Sequence, residues 1–90
     1  MDIMEEHMQN YYLITFKNTH GAISGEKVLK NEGLEVVVMP TPTNITKSCG
    51  ISIRIKPEDF SQVLNIVTKG TIEPEKIYYK DQSGYKLIES

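Results

Sequence analysis

Residues 50–60 read GISIRIKPEDF, and this stretch decides the fold. Ile51, Ile53 and Ile55 alternate with Ser52, Arg54 and Lys56. An apolar residue at every second position is the period of a strand with one face on a core, because successive side chains point to opposite sides. Pro57 has no N–H for a ladder, but suits the first position of a helix. Glu58 and Asp59 complement the positive end of that helix. Phe60, Val63, Leu64 and Val67 then recur at helical spacing, and Gly70 stops the run. The spacing predicts a helix over 57–69 with one apolar stripe. A one-sided strand feeding a one-sided helix belongs to a two-layer α+β fold.

The same logic extends in both directions. YYLITF (Tyr11–Phe16) is rich in aromatic and β-branched residues and reads as a buried strand. Asn18 and Thr19 are good N-cap types, and a helix is expected over 19–32, with Ala22, Gly25, Val28, Leu29 and Glu32 roughly on one side. Gly25 costs about 1 kcal/mol against alanine inside a helix, a cost that makes sense where the helix lies close to a sheet. Gly33 supplies the stop. LEVVVM (Leu34–Met39) is a second strand, closed by Pro40 and Pro42, and Thr41–Ser48 is a loop. Near the end, KIYYK and YKLIE flank DQSG, a hairpin signal. Residues 1–10 read as a polar, methionine-rich flexible arm, and 11–90 as a single domain. The order β-α-β-β-α-β, with room for an extra C-terminal strand, predicts a ferredoxin-like two-layer sandwich. Its antiparallel sheet order would be 4-1-3-2, with both helices on one face.

Composition limits the function classes. The chain has 90 residues, 39% hydrophobic and 24% charged, with a formal net charge of −2. One core between two layers fits this length, and a deep active site does not. The acidic balance argues against a nucleic-acid partner. No apolar run approaches the roughly 20 residues of a membrane span, and MDIMEEHMQN has none of the marks of a signal peptide. With a single cysteine there is no internal disulfide, and a reducing cytoplasm is the expected compartment. One cysteine with His7 and His20 falls short of a structural zinc site, and no glycine-rich phosphate loop is present. No metal or cofactor is expected.

The single cysteine, Cys49, follows Thr46, Lys47 and Ser48 in a polar loop and precedes Gly50. Antiparallel pairing of strands 1 and 3 would bring it beside Asn18, Thr19 and His20, at the start of the first helix. A thiolate, not a thiol, is the nucleophile, and a helix N-terminus favours the anion. Lys47 and His20 would add positive charge, and Gly50 would let a reacting partner approach. Against this stand plainer readings: a cysteine at a strand start as inert filler, His20 as a solvated helix residue and Lys47 as a solvated charge. Glu58 and Asp59 read as a helix-start pair, not an acid/base dyad.

The strand YLITF, Thr19 and Ala22 opening a helix, Glu26 and Leu29 within it, Gly33 after it, the spaced Pro40 and Pro42, the segment Ser48–Cys49–Gly50, and a strand leading into Pro57–Glu58–Asp59 together resemble a small bacterial family. That family is described as selenium/sulfur carrier protein-like, and the resemblance covers residues 11–80. It implies that Cys49 is the carrier residue; the residues expected to support it are Lys47, Ser48, Gly50, Thr19 and His20. A persulfide or perselenide would pass between donor and acceptor proteins, making the chain an accessory protein more than a stand-alone enzyme. Thr43 stands where family members often have a basic residue. Two other classes compete: a non-catalytic interaction or ligand-sensing module, with Tyr11, Tyr12, Tyr78, Tyr79 and Tyr85 lining the open sheet face, and RNA binding through sheet aromatics. A homo-oligomer is compatible with the carrier and the interaction module.

Overall fold

The computed structural model describes residues 10–45 and 50–89. Five strands and two helices follow in the order β1 (Tyr11–Thr15), α1 (Thr19–Asn31), β2 (Val37–Pro40), β3 (Ile51–Ile55), a 3-10 turn (Pro57–Asp59), α2 (Phe60–Thr68), β4 (Lys76–Asp81) and β5 (Gly84–Glu89). All neighbouring strands pair antiparallel, in the order β2-β3-β1-β4-β5. The sheet is therefore α+β as expected, and it departs from the expected four-stranded order by carrying a fifth strand outside β4. The expected helix over 57–69 begins as a 3-10 turn at Pro57 and becomes α-helical only at Phe60.

Both helices cover one face. Ala22 and Leu29 of α1 join Val63 and Ile66 of α2 in a single cluster with Ile14, Phe16, Ile53, Ile55 and Ile77. Tyr12 stacks on Phe60 with ring centroids 3.7 Å apart and planes 2° from parallel. Helix α1 starts where Asn18 accepts a hydrogen bond from the Gly21 N–H at 2.8 Å. It ends in a left-handed turn: Gly33 (φ 85°) donates to Lys30 O, and Leu34 donates to Leu29 O. That second bond explains why β2 starts at Val37 and not at Leu34. The Leu34 N–H is used in closing the helix, and Leu34 and Val36 are buried as core residues of the approach segment. Pro40 stays inside β2 because the strand lies at the sheet edge, where one missing N–H costs no ladder partner.

The opposite face is also closed over, which the strand alternation had assigned to solvent. Ser52 is fully buried, and Thr15 and Thr41 are nearly so. Leu13, Tyr11 and Ile45 form a second small cluster there, with Met39, Tyr78 and Tyr85 packed against it. The expected five-tyrosine face is thus divided. Tyr11, Tyr78 and Tyr85 lie on the open side, whereas Tyr12 and Tyr79 lie on the helix side, their rings 4.8 Å apart. The strand period demands this split, since adjacent residues point to opposite faces.

Candidate functional site

The loop from Thr41 to Gly50 joins β2 to β3, and its stem is firmly tied. Pro40 pairs with Ile51, and the Thr41 N–H donates to the Gly50 carbonyl at 2.9 Å. The Thr41 and Ser52 hydroxyls share a buried hydrogen bond of 2.5 Å. Beyond the stem, Ile45 N–H donates to Pro42 O at 3.1 Å, a turn that aims the Ile45 side chain back onto the open sheet face. Ile45 is 4% exposed and packs with Tyr11 and Leu13. An isoleucine in a run of polar residues is therefore the anchor that fastens the loop to the sheet.

Thr15 pairs with Ser52, so β3 begins at the end of the sheet where the chain leaves β1 and turns into α1. Thr19 and His20 are exposed side by side at the start of that helix. Gly50 lies at the same sheet end, next to Ile51. A β-carbon at Gly50 would meet nothing within 4 Å, so space among the described residues does not require glycine there. Lys47, Ser48 and Cys49 lie outside the described residues. A shallow cleft of about 370 Å³ opens at this end, between Lys17, Asn18, Gly21 and Ser24 on one side and Gly70, Thr71 and Glu73 on the other.

A family model with the description "Putative Se/S carrier protein-like" matches residues 11–79. The chain belongs to this family. No curated protein and no solved structure matches it. Against this carrier-like background, two features of the described residues matter for chemistry. No group of three or more His, Cys, Asp or Glu side chains converges among them, and no helix among them is long and apolar enough to cross a membrane.

A cavity of about 480 Å³ lies at the other end of β3, lined by Tyr11, Glu35, Val37, Arg54, Lys56 and Glu58 among others. There the Lys56 ammonium bonds the Glu35 carboxylate at 2.7 Å. This hydrogen bond, reinforced by charge, holds Glu35 below its usual range and Lys56 above its own. Next to it on the open face, the Tyr11 and Tyr85 hydroxyls bond at 2.6 Å. Burial, then the bond to Tyr11, pushes the Tyr85 phenol well above its ordinary range. The Arg54 guanidinium sits 5.5 Å from the Tyr11 ring centroid, and the Lys80 ammonium 5.8 Å from that of Tyr85. Sequence reasoning missed this cation–tyrosine group. The parity of Tyr11 with Lys80, and of Lys80 with Tyr85, was the signal that could have found it.

Proposed function

We propose that this carrier-like domain holds a sulfur or selenium atom on Cys49 and delivers it to a partner protein. The observation that carries the reading is the family match over residues 11–79 of a chain with one cysteine. The scaffold, in this reading, is a ferredoxin-like βαββαβ sandwich extended by β5. Support comes from the stem of the loop. Cys49 is covalently joined to Gly50, whose carbonyl is fixed by Thr41 at the sheet end where α1 starts. Nothing among the described residues packs against Gly50, which fits a need for open space beside the sulfur. Thr19 and His20, exposed at the helix start, are the groups that would favour an anion there.

The transfer balances without an external oxidant. The Cys49 thiolate attacks the outer sulfur of a donor persulfide, R–S–SH. The donor's S–S bond breaks, a new S–S bond forms on Cys49, and R–S⁻ departs, leaving Cys49–S–SH. A perselenide reacts in the same way through its outer selenium. An acceptor thiolate then attacks the outer atom and regenerates the Cys49 thiolate. A single cysteine suffices, and a reducing compartment such as the cytoplasm suits it. The protein needs docking surfaces for donor and acceptor more than a pocket.

The test is intact mass after incubation with a persulfide or perselenide donor. The expected result is a gain of one chalcogen atom, removed by a reductant and absent in Cys49→Ser. An unchanged mass, or a gain that survives in Cys49→Ser, would overturn the reading.

A further inference from the structure

The geometry points to a binding site for a small zwitterion, an amino acid with an apolar side chain, in the cavity beside Arg54. That cavity, about 480 Å³, falls within the roughly 300–1,000 Å³ usual for small-molecule sites. It lies at the end of β3 away from Gly50, since Arg54 is four strand positions from that glycine, about 13 Å. The inference therefore does not rest on the carrier reading.

The charges decide the ligand. Four ionic side chains line the cavity: Arg54, Lys56, Glu35 and Glu58. Lys56 and Glu35 are bound to each other at 2.7 Å. Glu58 acts on Lys56 only at a distance, through its charge. The Arg54 side chain forms no hydrogen bond and no ion pair among the described residues. Its one charged contact is with the Tyr11 ring, whose centroid lies 5.5 Å from the guanidinium carbon. A ring face orients a guanidinium without using its N–H donors, which stay in plane to meet a carboxylate. Those donors are reachable although Arg54 is half-buried. Among the described residues no sealed side-chain nitrogen or oxygen lacks a partner, so the unpartnered nitrogens of Arg54 are not sealed.

The lining thus holds two cations and two anions, and one of each is left without a partner among the described residues. A ligand with one carboxylate and one ammonium matches that remainder, the carboxylate on the Arg54 fork and the ammonium toward Glu58. Val36, Val37 and Pro57 supply apolar wall for the rest of such a molecule, and Val37 is 45% exposed. Apolar walls with a few oriented polar groups are the usual make-up of a ligand site. A bare carboxylate would be repelled by Glu58 and a bare amine by Arg54, so half of the zwitterion is a poorer match.

The experiment uses the full chain carrying Cys49→Ser, so that thiol chemistry plays no part and the two readings fail separately. The probes are L-phenylalanine, phenylpropionate, which lacks the ammonium, and phenylethylamine, which lacks the carboxylate, each followed by amide chemical-shift mapping. L-Phenylalanine is expected to shift amides in residues 10–11, 35–37 and 54–58, with half-saturation at about 1 mM or below. The other two probes should bind about tenfold more weakly or worse. Arg54→Gln should lower the affinity for L-phenylalanine about tenfold, whereas Lys76→Gln/Lys80→Gln, away from the cavity, should leave it unchanged. Should Arg54→Gln fail to fold, Val37→Asp on the exposed wall should impose a comparable loss. Shifts centred elsewhere, equal binding of all three probes, or no saturation by about 20 mM would overturn the inference. So would a tenfold gain in affinity in Asp2→Asn/Glu5→Gln/Glu6→Gln, about what removing a competitor gives, which would make the chain's own first residues the occupant.

Discussion

The Phe16 ring lies directly under Gly25: a β-carbon on Gly25 would come within 2.9 Å of Phe16 Cζ and 3.1 Å of Cε2. Phe16 is 1% exposed and packed among Ile14, Ile53 and Leu29, so a shift of its ring disturbs that packing. Gly25→Ala would gain about 1 kcal/mol in helix propensity. Overpacking a tight core costs about 1–3 kcal/mol. The clash should win, and a urea titration of Gly25→Ala should show a net loss of about 1 kcal/mol. A more stable variant would mean that α1 can lift from the sheet without cost.

The hydroxyl pair Thr41–Ser52 ties the loop stem to β3 inside the protein. Thr41→Val leaves the Ser52 hydroxyl buried without that partner, and should cost about 1–3 kcal/mol. Replacing both, Thr41→Val with Ser52→Ala, should cost less than the sum of the single changes. A double-mutant cycle by denaturant unfolding reads the coupling directly. Strict additivity would show that the bond contributes nothing.

In the carrier reading Cys49 serves chemistry and not packing. Cys49→Ser should then change stability by less than about 0.5 kcal/mol. A loss of about 2 kcal/mol or more in a denaturant titration would assign the thiol to the core instead.

The same reading makes a kinetic prediction. An exposed helix start stabilises an anion by about 0.3–1 kcal/mol, and by up to about 2 where partly buried. At 1.36 kcal/mol per pKa unit, Cys49 should titrate up to about 1.5 units below the roughly 8.5 of a free thiol. Alkylation rate against pH gives the midpoint, and His20→Ala should raise it. A midpoint at or above the free-thiol value would count against the carrier role.

Tyr85 sets a limit on the alkaline side. Its phenol is raised in the folded state by burial and by the bond to Tyr11. A raised folded pKa means that the stabilisation is complete below the unfolded value of about 10 and is lost as pH climbs above it. Stability should therefore fall above about pH 10, and Tyr85→Phe should flatten that fall. Phenolate absorbance across the alkaline range should show one tyrosine that ionises late, missing in Tyr85→Phe.

The strand β3 and the helix after it were legible because local pattern and final burial agree: Ile53 and Ile55 do face the helices, and Val63 does enter the core. Helix α1 was legible from its ends, Asn18 and Gly33, whose side-chain chemistry and backbone freedom act locally. The start of β2 was not, because the bond from Leu34 to Leu29 draws its first residues into the helix stop. The closed second face was invisible for a different reason. Ser52 looks solvated by alternation, yet it is fully buried on a face where Ile45, some way along a polar loop, packs against Tyr11 and Leu13. Around the candidate site, the sequence shows a thiol, a glycine and two prolines. How the stem is fastened depends on Thr41 meeting Gly50 and Ser52, contacts that no local pattern encodes.

The strand that begins the described fold is also the one at its centre. β1 bonds β3 on one side and β4 on the other, and Tyr11 reaches across 74 positions to Tyr85. During synthesis, then, β1 is made first and must wait, unpaired on at least one edge, until the C-terminal hairpin emerges. Contacts this remote delay the folding barrier's reward, because loop-closure entropy is spent before any pairing returns it. The chain should fold late and all at once, with the YYLITF segment exposed to wrong partners in the interval.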